Sequence, residues 1–283
     1  MDPANNQYEI KPDVLNFDDI VEMVPRLAGH RKLVEWVMHA IALDKVNAIH
    51  RHNCATPGVP FTVGLLNELN ATVKIDGEEV LDRFTEGPFI TVSNHPFGAI
   101  DGITLIRIVG QRRPDFKVMV NMILNHISAM RPNFIAVDAL ASDDPKKKAV
   151  SMRGIKEAIV HVRRGHPLGF FPAGAVSKVN NRGQLVDREW QPSIIRLIAQ
   201  FGVPVIPIFF HGSNSWWFNL LGRISWKLRT IRLPAEVFLK KNATIHVSIG
   251  EPITPEDIAA RASDIEALGN YLKSKTYELK KCR

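Results

Sequence analysis

Residues 88–102 read PFITVSNHPFGAIDG, and the fold is decided by how this stretch starts and stops. Phe89-Ile90-Thr91-Val92 has the length and β-branched content of a buried strand. The strand stops at Ser93-Asn94-His95, and Pro96, with no N–H to give a ladder, keeps it from continuing. Gly98 and Gly102 loosen the turn. Asp101 stands at or near the N-cap of a helix predicted over 103–108. A histidine and a carboxylate thus face each other across one tight strand–loop–helix connection. Two readings stand side by side. His95 is a satisfied loop histidine and Asp101 only a cap. Or the carboxylate holds the Nδ1–H of a neutral imidazole while Nε2 takes a proton.

Outward from this stretch, apolar runs and helical periods alternate. Strands are predicted over 72–75, 117–120, 134–137, 167–171, 203–210 and 244–249. The two prolines in 203–210 predict an edge or bulged strand. Helices are predicted over 64–70, 122–130, 146–164 (started by Ser142-Asp143-Asp144-Pro145), 190–200 closed by Gly202, and 255–279. Residues 1–15 read as an irregular lead and 17–50 as one or two helices, capped by Asp18 or Asp19 and broken at Gly29. Residues 51–63 read as a Pro/Gly loop. Leu33, Val34, Trp36, Val37 and Leu43 form an apolar face expected to pack on the main domain, the alternative being contact of Trp36, Val37 and Met38 with lipid. The expected fold is α/β, a mixed, largely parallel sheet flanked by helices with an N-terminal helical segment. Residues 1–60 are assigned to that segment and 61–283 to the α/β domain.

Ligands of open α/β sheets bind beyond the carboxyl ends of the strands. Three strands end in loops of small and polar residues: 93–95, 172–177 (PAGAVS) and 211–215 (HGSNS). If those strands are parallel neighbours, the loops meet at one site. His211 reads as a second base or as a core histidine.

The chain's 283 residues leave room for a large core, and a net charge of +7 favours anionic partners. No nucleic-acid motif is present. No apolar run approaches the ~20 residues that span a bilayer, and the polar start MDPANNQYEIKPD has no signal-peptide core. A protein that is soluble or rests on a membrane surface is expected. Cys54 and Cys282 lie far apart, suggesting neither a disulfide framework nor a metal cluster, and a reducing compartment. There is no nucleophile elbow, zinc-protease helix, P-loop or dinucleotide fingerprint. What remains is a His/Asp pair acting as base on an external hydroxyl or amine.

Asn94-His95-Pro96 with Asp101 resembles the first motif of the glycerolipid (lysophospholipid) acyltransferase superfamily, the family of 1-acylglycerol-3-phosphate acyltransferase. The likeness runs from about Phe61 to Ile253. Residues 171–177 (FPAGAVS) resemble its F-P-E-G-T-R-S motif, and 203–208 its last, proline-bearing strand. Pro132-Asn133-Phe134-Ile135 stands where the family has its second motif. This chain departs from the pattern in four ways. His95 and Asp101 are separated by five residues rather than four, Ala173 replaces the glutamate, Val176 replaces the arginine, and the second motif's arginine is missing. These changes resemble the hemolysin-like branch that includes acyltransferases of ornithine and glycine lipids.

The resemblance implies that His95 deprotonates an acceptor hydroxyl while Asp101 orients the ring. The hydroxyl attacks a thioester of acyl carrier protein or coenzyme A, without metal or bound cofactor, and N–H groups around Gly174 meet the oxyanion. Asn94, Pro172, Ala173, Gly174, Ser177 and Lys178 become candidate substrate contacts, with Arg182 a further cation. The lost arginines point to an N-acylated glycine or ornithine acceptor, with lysophosphatidate the alternative. The implied setting is the inner face of the cytoplasmic membrane, bound peripherally. The segment 216–232, mixing Trp with Arg and Lys, is read as an interfacial docking element or as a core helix with a basic outer face. Two other classes are a non-catalytic membrane-binding protein and a thioesterase.

Overall fold

The computed structural model describes residues 9–138, 145–180 and 182–281. Nine strands are present among these: β1 (Thr72–Asp76), β2 (Ile90–Ser93), β3 (Lys117–Asn121), β4 (Phe134–Val137), β5 (Leu168–Phe170), β6 (Lys178–Val179), β7 (Leu185–Val186), β8 (Val205–His211) and β9 (Thr244–Ile249). Seven form one sheet in the order β1-β9-β8-β2-β5-β3-β4, and β6 and β7 make a short antiparallel ribbon. From β8 to β4 all neighbours are parallel, whereas β9 runs antiparallel to β8 and carries β1 parallel beside it. The sheet is mixed, largely parallel and flanked by helices.

Both faces of the central strands are buried, so their sequences read as continuous apolar runs. On one face Ile206, Ile208 and Phe210 pack with Ile100 and Ile106 of helix Ala99–Gly110 and with Phe61 and Leu66 of helix Val59–Glu68. On the other, Ile90, Val92 and Phe170 pack with Ala158, Ile198 and Leu272, carried by helices Pro145–Arg163, Pro192–Phe201 and Ile265–Glu278.

Several expectations are corrected. β8 is a central strand, buried along its whole length, not an edge. Pro207 fits there because its carbonyl faces Gly250, one residue past the end of β9 (Gly250 N–H to Pro207 O, 2.9 Å), so the missing donor falls beyond the ladder. The first helix, Phe17–Met23, is capped by Asn16, and Asp19 closes the capping box. Two further helices, Arg31–Ala40 and Leu43–Asn53, complete the N-terminal segment. The expected 51–63 loop shrinks because helix Leu43–Asn53 runs into it and Pro60 starts the next helix early. Residues 122–133 form two 3₁₀ turns, the second with Pro132 inside it, rather than one helix. The last predicted helix is two, Pro255–Ala259 and Ile265–Glu278, the second restarted by Asp264 as N-cap. Residues 1–8 of the lead, the helix-start signal at 142–144, and Cys282 lie outside the described residues.

The apolar face of helix Arg31–Ala40 does not all turn inward. Val34 is buried, but Leu33, Trp36 and Val37 are exposed, Trp36 by 67%. Among the described residues no helix is long and apolar enough to cross a membrane.

Candidate active site

β8, β2 and β5 are adjacent and parallel, with Val92 level with both Pro207 and Phe170, so their carboxyl ends open side by side. The three loops meet there. The Asn94 carboxamide donates to Phe210 O (2.9 Å) and accepts the Phe210 N–H (2.7 Å), stitching the end of β2 to β8. The Ser177 N–H donates to His95 O (2.8 Å), joining the 172–177 loop to β2.

The turn after β2 places Asp101 inside the helix rather than at its cap. Gly98 is the N-cap, with φ +85° and ψ −123°, and Asp101 is the third helical residue. That backbone region is open to glycine and strained for other residues. Asp101 Oδ2 accepts the N–H groups of Phe97 (2.8 Å) and Gly98 (2.9 Å) and lies 2.9 Å from His95 Nδ1. The ring nitrogen is at ion-pair distance but off the line of a straight hydrogen bond. Such bonds tighten when substrate binds. Asp101 is fully buried, while the His95 side chain is 18% exposed and rests on Phe171, ring centroids 4.3 Å apart. Burial pushes the Asp101 carboxyl above its ordinary value, and His95 and the N–H groups of Phe97 and Gly98 oppose that push. Lys240 lies 4.0 Å above the Phe97 ring and donates to Ser213 O. Burial lowers its pKa, against the pull of Glu236 and Asp101.

His95 and Gly174 border a pocket of about 130 Å³ that runs inward between Ala99-Gly102-Ile103, the ends of β3 and β4, and Ile194. Met119, Val120, Leu124, Phe134 and Val137 make its walls almost wholly apolar. It is an apolar slot that opens at the imidazole.

The other expected contacts are placed differently. Pro172 and Ala173 are buried, and Ala173 belongs to the core on the far face of the sheet. The Gly174 N–H donates to Phe171 O (2.9 Å), so this residue's own N–H is already engaged and is not an oxyanion donor in this state. Ser177 is buried and braces the loop, and Lys178 and Arg182 are exposed on the β6–β7 ribbon. His211 pairs with Ser248 Oγ (2.8 Å) and stacks on His246, whose Nε2 meets Asp76. It takes the core role.

Two residues escaped sequence reasoning. Asp187, 4% exposed, accepts from Ser177 Oγ (2.5 Å), the His95 N–H (3.3 Å) and Trp190 Nε1 (3.2 Å). It ties the base to the 172–177 loop, yet stands in no recognisable motif. Arg229 grips the same loop through the carbonyls of Val176 and Ser177. Its only sequence signal was membership of a basic segment.

An imidazole backed by a buried carboxylate, at the mouth of an apolar slot, is an arrangement able to activate a nucleophile beside an apolar chain. The sequence matches the family model described as Acyltransferase over residues 19–283, and the chain belongs to that family. It is an acyltransferase acting on lipids. A lyso-glycine lipid O-acyltransferase of Bacteroides thetaiotaomicron is 28% identical over 258 residues, covering 87% of this chain and 89% of that protein. A protein of the same description from Phocaeicola vulgatus is 26% identical over 264 residues, covering 88% and 90%. The crystal structure of the 1-acyl-sn-glycerophosphate acyltransferase PlsC from Thermotoga maritima is similar at 16% identity and a TM-score of 0.46, covering 78% of this chain and 82% of that one.

Proposed function

We propose that this enzyme transfers a fatty acyl group from an acyl carrier protein or coenzyme A thioester to the hydroxyl of an N-acylated amino acid, of glycine type, to give a diacylated aminolipid. The observation that carries the reading is the His95–Asp101 pair at the mouth of the apolar slot, and the two relatives described as lyso-glycine lipid O-acyltransferases support the acceptor. His95 Nε2 takes the hydroxyl proton. The oxygen attacks the thioester carbonyl, and the tetrahedral intermediate expels the thiolate. The imidazolium returns the proton to the thiolate, leaving an ester and a free thiol. Asp101 fixes the tautomer and offsets the imidazolium charge. Asn94, Ser177 and Asp187 hold the loops in register, and Gly174 lines the acyl path. Donor and acceptor meet at a membrane surface on the cytoplasmic side. Exposed Trp216 (66%), Trp217 (59%) and Ile224 (70%) on helix Trp216–Ile224, together with Trp36, support interfacial docking.

The acceptor is tested by comparing kcat/KM of the purified enzyme, with acyl carrier protein thioester as donor, on N-(3-hydroxyacyl)glycine and on lysophosphatidate. Preference for the glycine acceptor is expected. Robust turnover of lysophosphatidate with none of the glycine acceptor would overturn it.

The slot makes a second prediction. A Cβ on Gly102 would meet nothing within 4 Å, so a larger side chain there projects into the slot. Gly102→Leu is expected to shift preference by about two to four methylenes toward shorter acyl chains, each lost methylene being worth about 0.8 kcal/mol of burial. Competition among thioesters of graded length reads the shift, and an unchanged profile would remove the slot as the acyl site.

A further inference from the structure

Arg229, in the short helix Trp226–Ile231, is 7% exposed, and no carboxylate reaches it among the described residues. Its Nη1 donates to Ser177 O (3.3 Å) and its Nη2 to Val176 O (3.0 Å). The guanidinium stands 5.3 Å from the Phe218 ring centroid. Its stem passes so close to Gly222 that a Cβ there would lie 2.7 Å from Arg229 Cδ. Two of its five N–H groups are thereby used, leaving a fork that can take two more oxygens. A guanidinium does not shed its proton, so a buried one is stabilised only by an anion or by dense hydrogen bonding. Arg188, exposed at the end of the β6–β7 ribbon, brings a second positive charge near it, and burial together with that charge lowers the Arg229 pKa. Beyond the two carbonyls that it holds, the guanidinium has no carboxylate partner among the described residues.

The place of that guanidinium matters. The carbonyls that Arg229 grips belong to the loop whose Ser177 N–H holds His95 O at 2.8 Å. On the same loop, Val176 Cγ2 would be 3.3 Å from a Cβ on Gly98, the N-cap of the Asp101 helix. The 176–177 backbone therefore links the guanidinium to His95.

We propose that Arg229, assisted by Arg188, binds the carboxylate of the acyl acceptor's headgroup and so sets the acceptor hydroxyl at His95. This rests on the aminolipid reading above and names the residues that select its headgroup. A planar carboxylate matches the free fork of Arg229, and the same fork explains how an anionic acceptor is held by a loop that carries Val176.

The test is steady-state kinetics on N-(3-hydroxyacyl)glycine and on its glycinamide counterpart, which keeps chain and hydroxyl but lacks the charge. Wild-type enzyme is expected to favour the carboxylate by about tenfold or more in kcat/KM, the worth of one charged hydrogen bond. Arg229→Gln is expected to raise KM for the glycine acceptor by about tenfold, with the loss on the glycine acceptor exceeding any loss on the glycinamide by about tenfold. Arg188→Gln, at the surface, is expected to act in the same direction by about threefold. Equal losses on both acceptors would mean that Arg229 only pins the 176–177 carbonyls, and would overturn the inference. If Arg229→Gln does not fold, an unchanged KM in Arg188→Gln overturns it. No turnover of the glycine acceptor by wild-type enzyme, with turnover of lysophosphatidate, removes the acceptor reading and this inference together. Turnover of the glycine acceptor without discrimination against the amide removes this inference alone.

Discussion

His95→Ala is expected to lower kcat by about 10²- to 10⁴-fold, or roughly 3–5 kcal/mol of barrier, the usual worth of a positioned general base. The fold should survive. The ties that hold this residue in place run through its backbone, the N–H to Asp187 and the carbonyl from Ser177, and neither needs the imidazole. What is lost is a partly exposed ring lying on Phe171 at the slot mouth, the proposed proton acceptor. Rate assays on donor and acceptor, paired with a thermal melt, read both parts. A variant that folds and retains activity within tenfold of wild type would remove His95 as the base and leave a membrane-binding role for the protein.

Asp101→Asn separates chemistry from stability. Asparagine's carbonyl oxygen can still accept the N–H groups of Phe97 and Gly98, so the helix start is kept. The oxygen that accepts them is the same one that lies 2.9 Å from His95 Nδ1, so the tautomer is kept and the negative charge behind the imidazolium is lost. A fall in kcat of about 10²-fold is expected from the uncompensated imidazolium charge. The stability effect has the opposite sign. Burial raises the Asp101 pKa in the folded state above its ordinary 3.8. A group raised in this way contributes stability below its unfolded value and loses it as pH rises through the folded one. At neutral pH the buried carboxyl group therefore weakens the fold, and Asp101→Asn is expected to melt at or above wild type at pH 7. That advantage should disappear in acid, below the ordinary carboxylate range. A variant melting well below wild type at pH 7 would show that the ion pair with His95 outweighs burial.

Much of this site was legible in one stretch of sequence. Pro96 after an apolar run, glycines at 98 and 102 and an aspartate beyond them were enough to place strand, turn, helix and candidate base. The convergence of the 93–95, 172–177 and 211–215 loops followed from three apolar strands ending in small residues, and the parallel order β8-β2-β5 brings them together. The rest was invisible for physical reasons. Pro207 looked like an edge signal because sequence does not reveal that its neighbour strand has already ended at Ile249. The apolar slot is walled by Ile103, Val120, Phe134 and Val137, which read as ordinary core in three separate elements. Asp187 and Arg229 act on the loop through contacts 10 and 52 residues away from Ser177, and no local pattern announces such pairings. Lys178 and Arg182, the nearest cations in sequence, point to the surface, and the buried cation comes from a helix more than forty residues downstream of them.

The most direct measurement is the mass spectrum of lipid products formed by purified enzyme from acyl carrier protein thioester and N-(3-hydroxyacyl)glycine. The predicted result is a new diacylated glycine lipid, esterified at the 3-hydroxyl, formed in step with thiol release and absent with His95→Ala. Thiol release accompanied only by free fatty acid, or a diacylated product formed equally well without His95, would contradict the account.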